Sequence, residues 1–172
     1  MSKKKTIIIL ISIIVGGIFL DLLTKLLVAG LMELGQSVTV IPGVLNFTYI
    51  HNYGAAFGML SEHRWVFMVI STIAIVGIGV YLFRFCRERM LLRVGLAMII
   101  SGGLGNMVDR IFYGYVIDMI DFCLFPFWKW IFNIADAFVC VGAGVVVLSL
   151  VLDIIKDAKQ KKKKEEKNED NQ

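Results

Sequence analysis

Four long apolar stretches dominate the pattern along the chain. Residues 6–27, 65–85, 91–108 and 132–152 are nearly continuous runs of aliphatic, aromatic and small residues. Crossing the hydrocarbon core of a bilayer takes a helix of about 20 mostly apolar residues. In lipid only helices and closed barrels satisfy their own backbone. The runs lack the two-residue alternation of a barrel strand, so they predict four transmembrane helices. A different pattern occupies the loop 28–64. In VTVIPGVLNFTYI (38–50), Leu45, Phe47 and Tyr49 alternate with Asn46 and Thr48, and Pro42–Gly43 is a turn signal. This predicts a short β-hairpin, packed on the bundle or forming an amphipathic platform at the membrane surface. Segment 109–131 carries Phe112, Tyr113, Tyr115, Phe122, Phe125, Phe127, Trp128 and Trp130. Aromatic rings favour the headgroup zone, so this segment is expected to lie along the interface. Most of its rings would act as anchors, and a few would line a lipid groove. The expected fold class is an all-α membrane protein. Its four helices carry a small external β-hairpin or cradle and an interfacial external segment. Residues 1–155 form one domain, followed by a charged tail, 156–172.

Composition agrees with this pattern. The 172 residues are 58% hydrophobic and 19% charged, whereas a soluble domain is about 25% charged. An ordinary soluble domain and a disordered chain are both excluded. Three cysteines, at 86, 123 and 140, are too few for a disulfide framework. Charge adds a direction. Fourteen of the eighteen Lys and Arg lie at 3–5, in the connector 84–93, or from 156 onward. Basic residues mark the cytoplasmic side, so both termini are expected inside. The loops 28–64 and 109–131, with only Arg64, Arg110 and Lys129, are expected outside. The Lys-rich start and the Ile-rich run after it resemble a signal peptide. No small-residue cleavage site follows, so the run is expected to remain as the first span. Stretch 153–172 mixes seven Lys with six acids, which points to a solvated helical extension fraying into disorder. Anionic headgroups can hold its membrane-proximal lysines. No nucleic-acid module is visible, and four short spans without an extra packing seam suit a monomer.

The chemistry is expected where polar groups enter the apolar runs. A charge at mid-bilayer costs about 2.5–3.5 kcal/mol, so each such residue needs a partner or a role. Asp21 and Lys25 are four apart in DLLTK and share a helix face, suited to an ion pair that is structural before it is chemical. SGGLGNMVDR (101–110) ends the third run with close-packing glycines. There Asn106 and Arg110 share a face, with Asp109 beside them. Arg110 has three candidate partners: Asp109, another carboxylate or an anionic headgroup. GYVIDMIDF places Asp118 and Asp121 in the interfacial segment. FNIAD opens the fourth run with Asn133 and Asp136. Alone, Asp136 reads as a helix-start acid. Asp118 and Asp136 at the same depth suggest more. Two carboxylates meeting across one water share a proton, one acting as base and the other as acid. Burial there should raise the pKa of at least one of them. Position alone does not choose between Asp118 and Asp121. His51 and His63 lack metal-ligand spacing. No G-x-S-x-G or phosphate-binding G-x-x-x-x-G-K occurs.

Five blocks carry a resemblance in this order: DLLTK (21–25), HNYGAAFGML (51–60), GGLGNMVDR (102–110), GYVID (114–118) and FNIAD (132–136). Together, on four spans, they resemble the signal peptidase II family of bacterial membrane aspartic peptidases. The resemblance extends over residues 6–155. It implies cleavage of the signal peptide from diacylglyceryl-modified prolipoproteins, just before the lipid-modified Cys, at the outer face of the bacterial inner membrane. Membrane phospholipid surrounds the enzyme, and no metal or organic cofactor is implied. The motif match selects Asp118 and Asp136 as the catalytic dyad. Asn52, Asn106, Arg110 and Asn133 match polar residues that line the site. Asp21 and Lys25 match supporting charges of the first span. Met119 departs from the Phe that often follows the first catalytic Asp, with a consequence for groove packing. The competing reading is a small proton-coupled transporter using Asp21, Lys25, Asp118 and Asp136 as relay groups. Against it, no inverted repeat is evident, and the polar groups gather at one face.

Overall fold

The computed structural model describes residues 2–54, 64–86, 89–124 and 130–169. Residues 55–60 of the second block, His63, Arg87 and the aromatic stretch 125–129 lie outside the described residues. The elements in chain order are α1 (Lys3–Leu31), β1 (Ser37–Ile41), β2 (Leu45–Asn52), α2 (Arg64–Val80, continued by a π-turn at Tyr81–Phe85), α3 (Met90–Phe112), β3 (Val116–Phe122), β4 (Ile131–Phe132) and α4 (Ile134–Glu169). Among the described residues, four helical stretches are long and apolar enough to cross a membrane: Lys3–Leu31, Met68–Phe85, Met90–Phe112 and Ile134–Lys162. The protein is a multi-pass membrane protein. Its outward-facing aliphatic and aromatic residues, such as Ile8, Phe19, Ile73 and Ile154, are exposed, as a lipid-facing surface requires.

α3 is the central helix and packs against α1, α2 and α4. Away from the sheet, the bundle is closed by an apolar cluster of Leu10, Leu82, Leu92, Leu96, Ala97 and Ile100. The α3–α4 seam is built from small residues. A Cβ on Gly95 would lie 2.8 Å from the Gly142 carbonyl oxygen, and one on Gly142 would lie 2.7 Å from that of Gly95. A Cβ on Gly102 would collide with the carbonyl oxygen of Ala135. Lipid offers no hydrophobic drive between helices, so this backbone-to-backbone approach supplies the packing contact instead.

The hairpin forms where the alternation places it, with a turn at 42–44 in which Gly43 adopts φ 72°. It is half of a larger element. A four-stranded antiparallel sheet runs β1-β2-β3-β4, so the fold is a helix bundle with a sheet rather than with a lone hairpin. Segment 109–131 is correspondingly not a single interfacial stretch. Its first residues complete α3, and 116–122 pair with β2. β3 escaped the pattern because Val116 to Met119 are all buried, and a strand covered on both faces shows no polar–apolar alternation. The tail forms the helical extension expected of it: α4 runs on without a break to Glu169. Its residues are strong helix formers, with no Gly or Pro. A helix already nucleated by the span propagates into them without a new nucleation step.

The α3–α4 seam yields a test. Gly102→Val should lower the thermal midpoint in detergent and the yield of monodisperse protein, since overpacking costs about 1–3 kcal/mol. Gly16→Ala and Gly79→Ala, whose added Cβ meets nothing within 4 Å, should leave both unchanged. Equal behaviour of all three variants would contradict the seam.

Candidate functional site

The site lies where the sheet meets the bundle. Asn133 precedes the first turn of α4, and its side-chain oxygen accepts from the Asp136 N–H (2.9 Å). In return the Asp136 carboxylate accepts from the Asn133 N–H (3.3 Å). These are the reciprocal bonds of a capping box, so Asp136 is indeed a helix-start acid. Its other oxygen accepts from Asn106 Nδ2 at 2.7 Å. A second anion assists at this helix end: Asp21 of α1 accepts from the Ala135 N–H at 2.8 Å, where the helix dipole favours negative charge.

Asp118 arrives from the opposite side. α3 ends at Phe112, and Gly114 adopts φ 81°, a left-handed conformation that glycine takes without strain. This turns the chain into β3 and places Asp118 at 1% exposure against the start of α4. Asn133 Nδ2 donates to its Oδ1 (2.6 Å), and Asn52 Nδ2 from β2 donates to its Oδ2 (2.8 Å). Burial, and next the charge of Asp136, push the Asp118 carboxyl up to about 7, against the two amide hydrogen bonds that favour its anion. A proton is thereby retained on the acid pair to near-neutral pH.

Behind the two acids lies a buried charge cluster. Lys25 Nζ is 2.7 Å from Asp21, 2.9 Å from Asp109 and 3.0 Å from Asn106 Oδ1. A Cβ on Gly105 would lie 2.6 Å from an Asp21 oxygen, so the glycine leaves room for that carboxylate. Arg110 donates to the carbonyl oxygens of Asn106 and Gly54, both at 3.2 Å. Of the partners open to it in sequence, Asp109 is engaged by Lys25 instead.

Two apolar cavities flank this network. One, of about 380 Å³, is walled by Phe122, Trp130 and Phe132 and floored by Ala137 and Cys140, with Asp136 on its lining. The other, of about 370 Å³, lies between the end of α1 and the sheet, and Met119 forms part of its wall. Around β2 and the start of β3, Tyr115 stacks on His51 with centroids 3.7 Å apart, and Tyr49 shares a hydrogen bond with His51 Nε2.

All eight sequence-derived residues (Asp21, Lys25, Asn52, Asn106, Arg110, Asp118, Asn133 and Asp136) belong to one hydrogen-bonded network. Asp121 lies apart from it, accepting from Thr48 Oγ1 at 3.0 Å. Sequence reasoning passed over Asp109 as a member. Its i, i+3 relation to Asn106 was visible, but its partner lies on a different helix.

This architecture defines a class: a polytopic membrane protein that gathers a buried network of carboxylates, amides and a lysine at one end of its bundle, under a small sheet. The family described as signal peptidase (SPase) II matches residues 13–152. A lipoprotein signal peptidase of Halalkalibacterium halodurans is 39% identical over 144 residues, covering 84% of this chain and 92% of its own. One from Haemophilus influenzae is 43% identical over 146 residues, covering 83% of this chain and 82% of its own. A bacterial membrane enzyme solved in meso at 2.3 Å resolution superposes with a TM-score of 0.80 at 33% identity, covering 84% of this chain and 88% of its own. The chain belongs to the signal peptidase II family, and the family makes it a protease.

The charge cluster predicts a specific fragility. Lys25→Met leaves Asp21 and Asp109 buried without their cation, a loss of about 3–5 kcal/mol. Thermal unfolding in detergent should show a large fall in midpoint. Adding Asp21→Asn to Lys25→Met should recover part of it, since one stranded charge is removed. No difference between parent and Lys25→Met would refute the pairing.

Proposed function

We propose that the protein removes signal peptides from diacylglyceryl-modified bacterial prolipoproteins, cutting just before the lipid-modified Cys, with Asp118 and Asp136 as an aspartic dyad. The observation that carries this reading is the shared amide. Asn133 bonds Asp118 through its side chain and Asp136 through both its side chain and its backbone. One residue thus holds the two acids in a fixed relation. Asp136, at the helix N-terminus and bonded by Asn106, serves as base and takes a proton from water. The water oxygen attacks the scissile carbonyl carbon, and Asp118, protonated, gives its proton to the carbonyl oxygen. Collapse of the resulting diol breaks the C–N bond. The proton on Asp136 passes to the leaving nitrogen, and Asp118 regains its own. Asn52, Asn106, Asn133 and Arg110 orient the dyad and the loop after β2, and Asp21 and Lys25 brace them from α1. The apolar cavity beside Asp136 suits an extended peptide delivered from lipid. The charge asymmetry of the chain supports a protein of the cytoplasmic membrane with both termini inside and the site at the outer face, and four short spans without an extra packing seam suit a monomer.

Asp118→Asn and Asp136→Asn should each abolish cleavage of a lipid-modified substrate while the protein remains folded. Substantial turnover by either variant would reject the dyad, and equal cutting of a substrate lacking the diacylglyceryl group would reject the lipid requirement.

The pH dependence has a definite sign. The activity of the parent should fall as pH rises through about 7, the value to which Asp118 is pushed, because the proton it must donate is lost. Stability follows the same group. In the unfolded chain it ionises near the ordinary carboxylate value of 3.8 and in the folded chain near 7, so the parent loses stability across that interval as pH rises. The thermal midpoint of Asp118→Asn relative to the parent should therefore climb over the same interval and level off above it. A rate that stays flat through that region would rule out the raised acid.

A further inference from the structure

We propose that Asp109 is a positioning residue for the reaction. It completes the unpaired edge of β3 beside Asp118 and fixes the height of that acid against α4. The inference rests on the dyad reading above. β3 pairs with β2 along its length, with His51 opposite Ile117 and Ile50 opposite Asp118. On its other edge β4 reaches only Ile120 and Asp121, because the chain turns into α4 at Asn133. At Ile117 that edge is occupied by two side chains instead of a strand. The Ile117 N–H donates to Asp109 Oδ2 at 3.1 Å, and the Ile117 carbonyl accepts from Asn133 Nδ2 at 3.3 Å. The peptide group on either side of Ile117, one bond sequence from Asp118, is thus held by α3 through Asp109 and by α4 through Asn133.

The same Asp109 oxygen lies 2.9 Å from Lys25. Asp109 is therefore fixed between α1 and β3, at 1% exposure. Unlike Asn133, its carboxylate bonds neither acid of the dyad; among the described residues it holds Lys25 and the Ile117 N–H. Its effect reaches the reaction through the strand. Freeing the Ile117 N–H would release β3 at the point where Asp118 must meet Asn133 and Asn52. A displacement of a reacting group by about 1 Å can cost about 10²-fold in rate.

The test compares Asp109→Ala with Asp109→Asn. Ala removes the acceptor. Asn has the same shape and can present its amide oxygen to both Lys25 and Ile117. On a lipid-modified substrate, Asp109→Ala should lose at least about tenfold in kcat with KM within about twofold, the signature of an interaction expressed in the transition state. Asp109→Asn should restore kcat to within about threefold of the parent. If Asp109→Ala does not fold, the kcat of Asp109→Asn carries the test alone. The proposal is overturned if Asp109→Ala keeps parental kcat, if its defect lies in KM, or if folded Asp109→Asn is as slow as Ala would be expected to be. Asp118→Asn run alongside separates the two claims. An active Asp118→Asn rejects the dyad, whereas an inactive one beside a fully active Asp109→Ala rejects only the positioning role.

Discussion

Lys25 sits at 1% exposure with its ammonium 2.7 Å from Asp21, 2.9 Å from Asp109 and 3.0 Å from Asn106. At such distances each opposite-charge contact is worth on the order of 5 kcal/mol for an effective dielectric near 20. The desolvation of each ion costs several kcal/mol. The two nearly cancel, so the cluster contributes geometry more than net stability. Each of its acceptors has a second obligation. Asp21 caps α4 through Ala135, Asp109 holds β3 through Ile117, and Asn106 binds Asp136. A single buried ammonium therefore sets the mutual placement of α1, α3, α4 and the strand that carries Asp118.

That placement depends on the rest of the bundle. The glycine contacts between α3 and α4 let Asn106 and Asn133 come within 3.0 Å of each other. With a larger residue at 102 or 105, the amide bridge between the two helices would open. The apolar cluster around Leu10, Leu82 and Leu96 holds the opposite end of the bundle. It leaves the sheet end free to accommodate polar groups that lipid would not tolerate unpaired. The proposed chemistry is a consequence of the same economy. Asp118 is buried deeply enough to keep its proton near pH 7, yet it stays paired to Asn52 and Asn133. Asp136 caps the first turn of α4 and is bonded by Asn106.

Much of this could be read along the chain. The four spans follow from run length, and the β1–β2 hairpin from two-residue alternation around Pro42–Gly43. The pairing of Asp21 with Lys25 follows from four-residue spacing, and the choice of Asp118 over Asp121 came from a family motif. Other features were not legible. The three-residue spacing of Asp118 and Asp121 gives no sign of a strand, because β3 is buried on both faces. The four-stranded sheet joins segments about 70 residues apart, Asn46 pairing with Asp121.

Local pattern by itself therefore determined which segments are helical, how many can cross a membrane, and which polar residues lie among them. Those properties depend on hydrophobicity and on neighbours within a turn or two, and one strand of sequence contains both. Beyond the Asp21–Lys25 pair, only the tertiary structure decided how the polar residues pair. Asp109 turned from Arg110, its neighbour in sequence, to Lys25, which lies on another helix. Asn133 became the common partner of both acids. Such partners are set by the packing of α1, α3, α4 and β3 in a medium where a buried charge or amide must find a partner, and that requirement acts across the fold rather than along the chain.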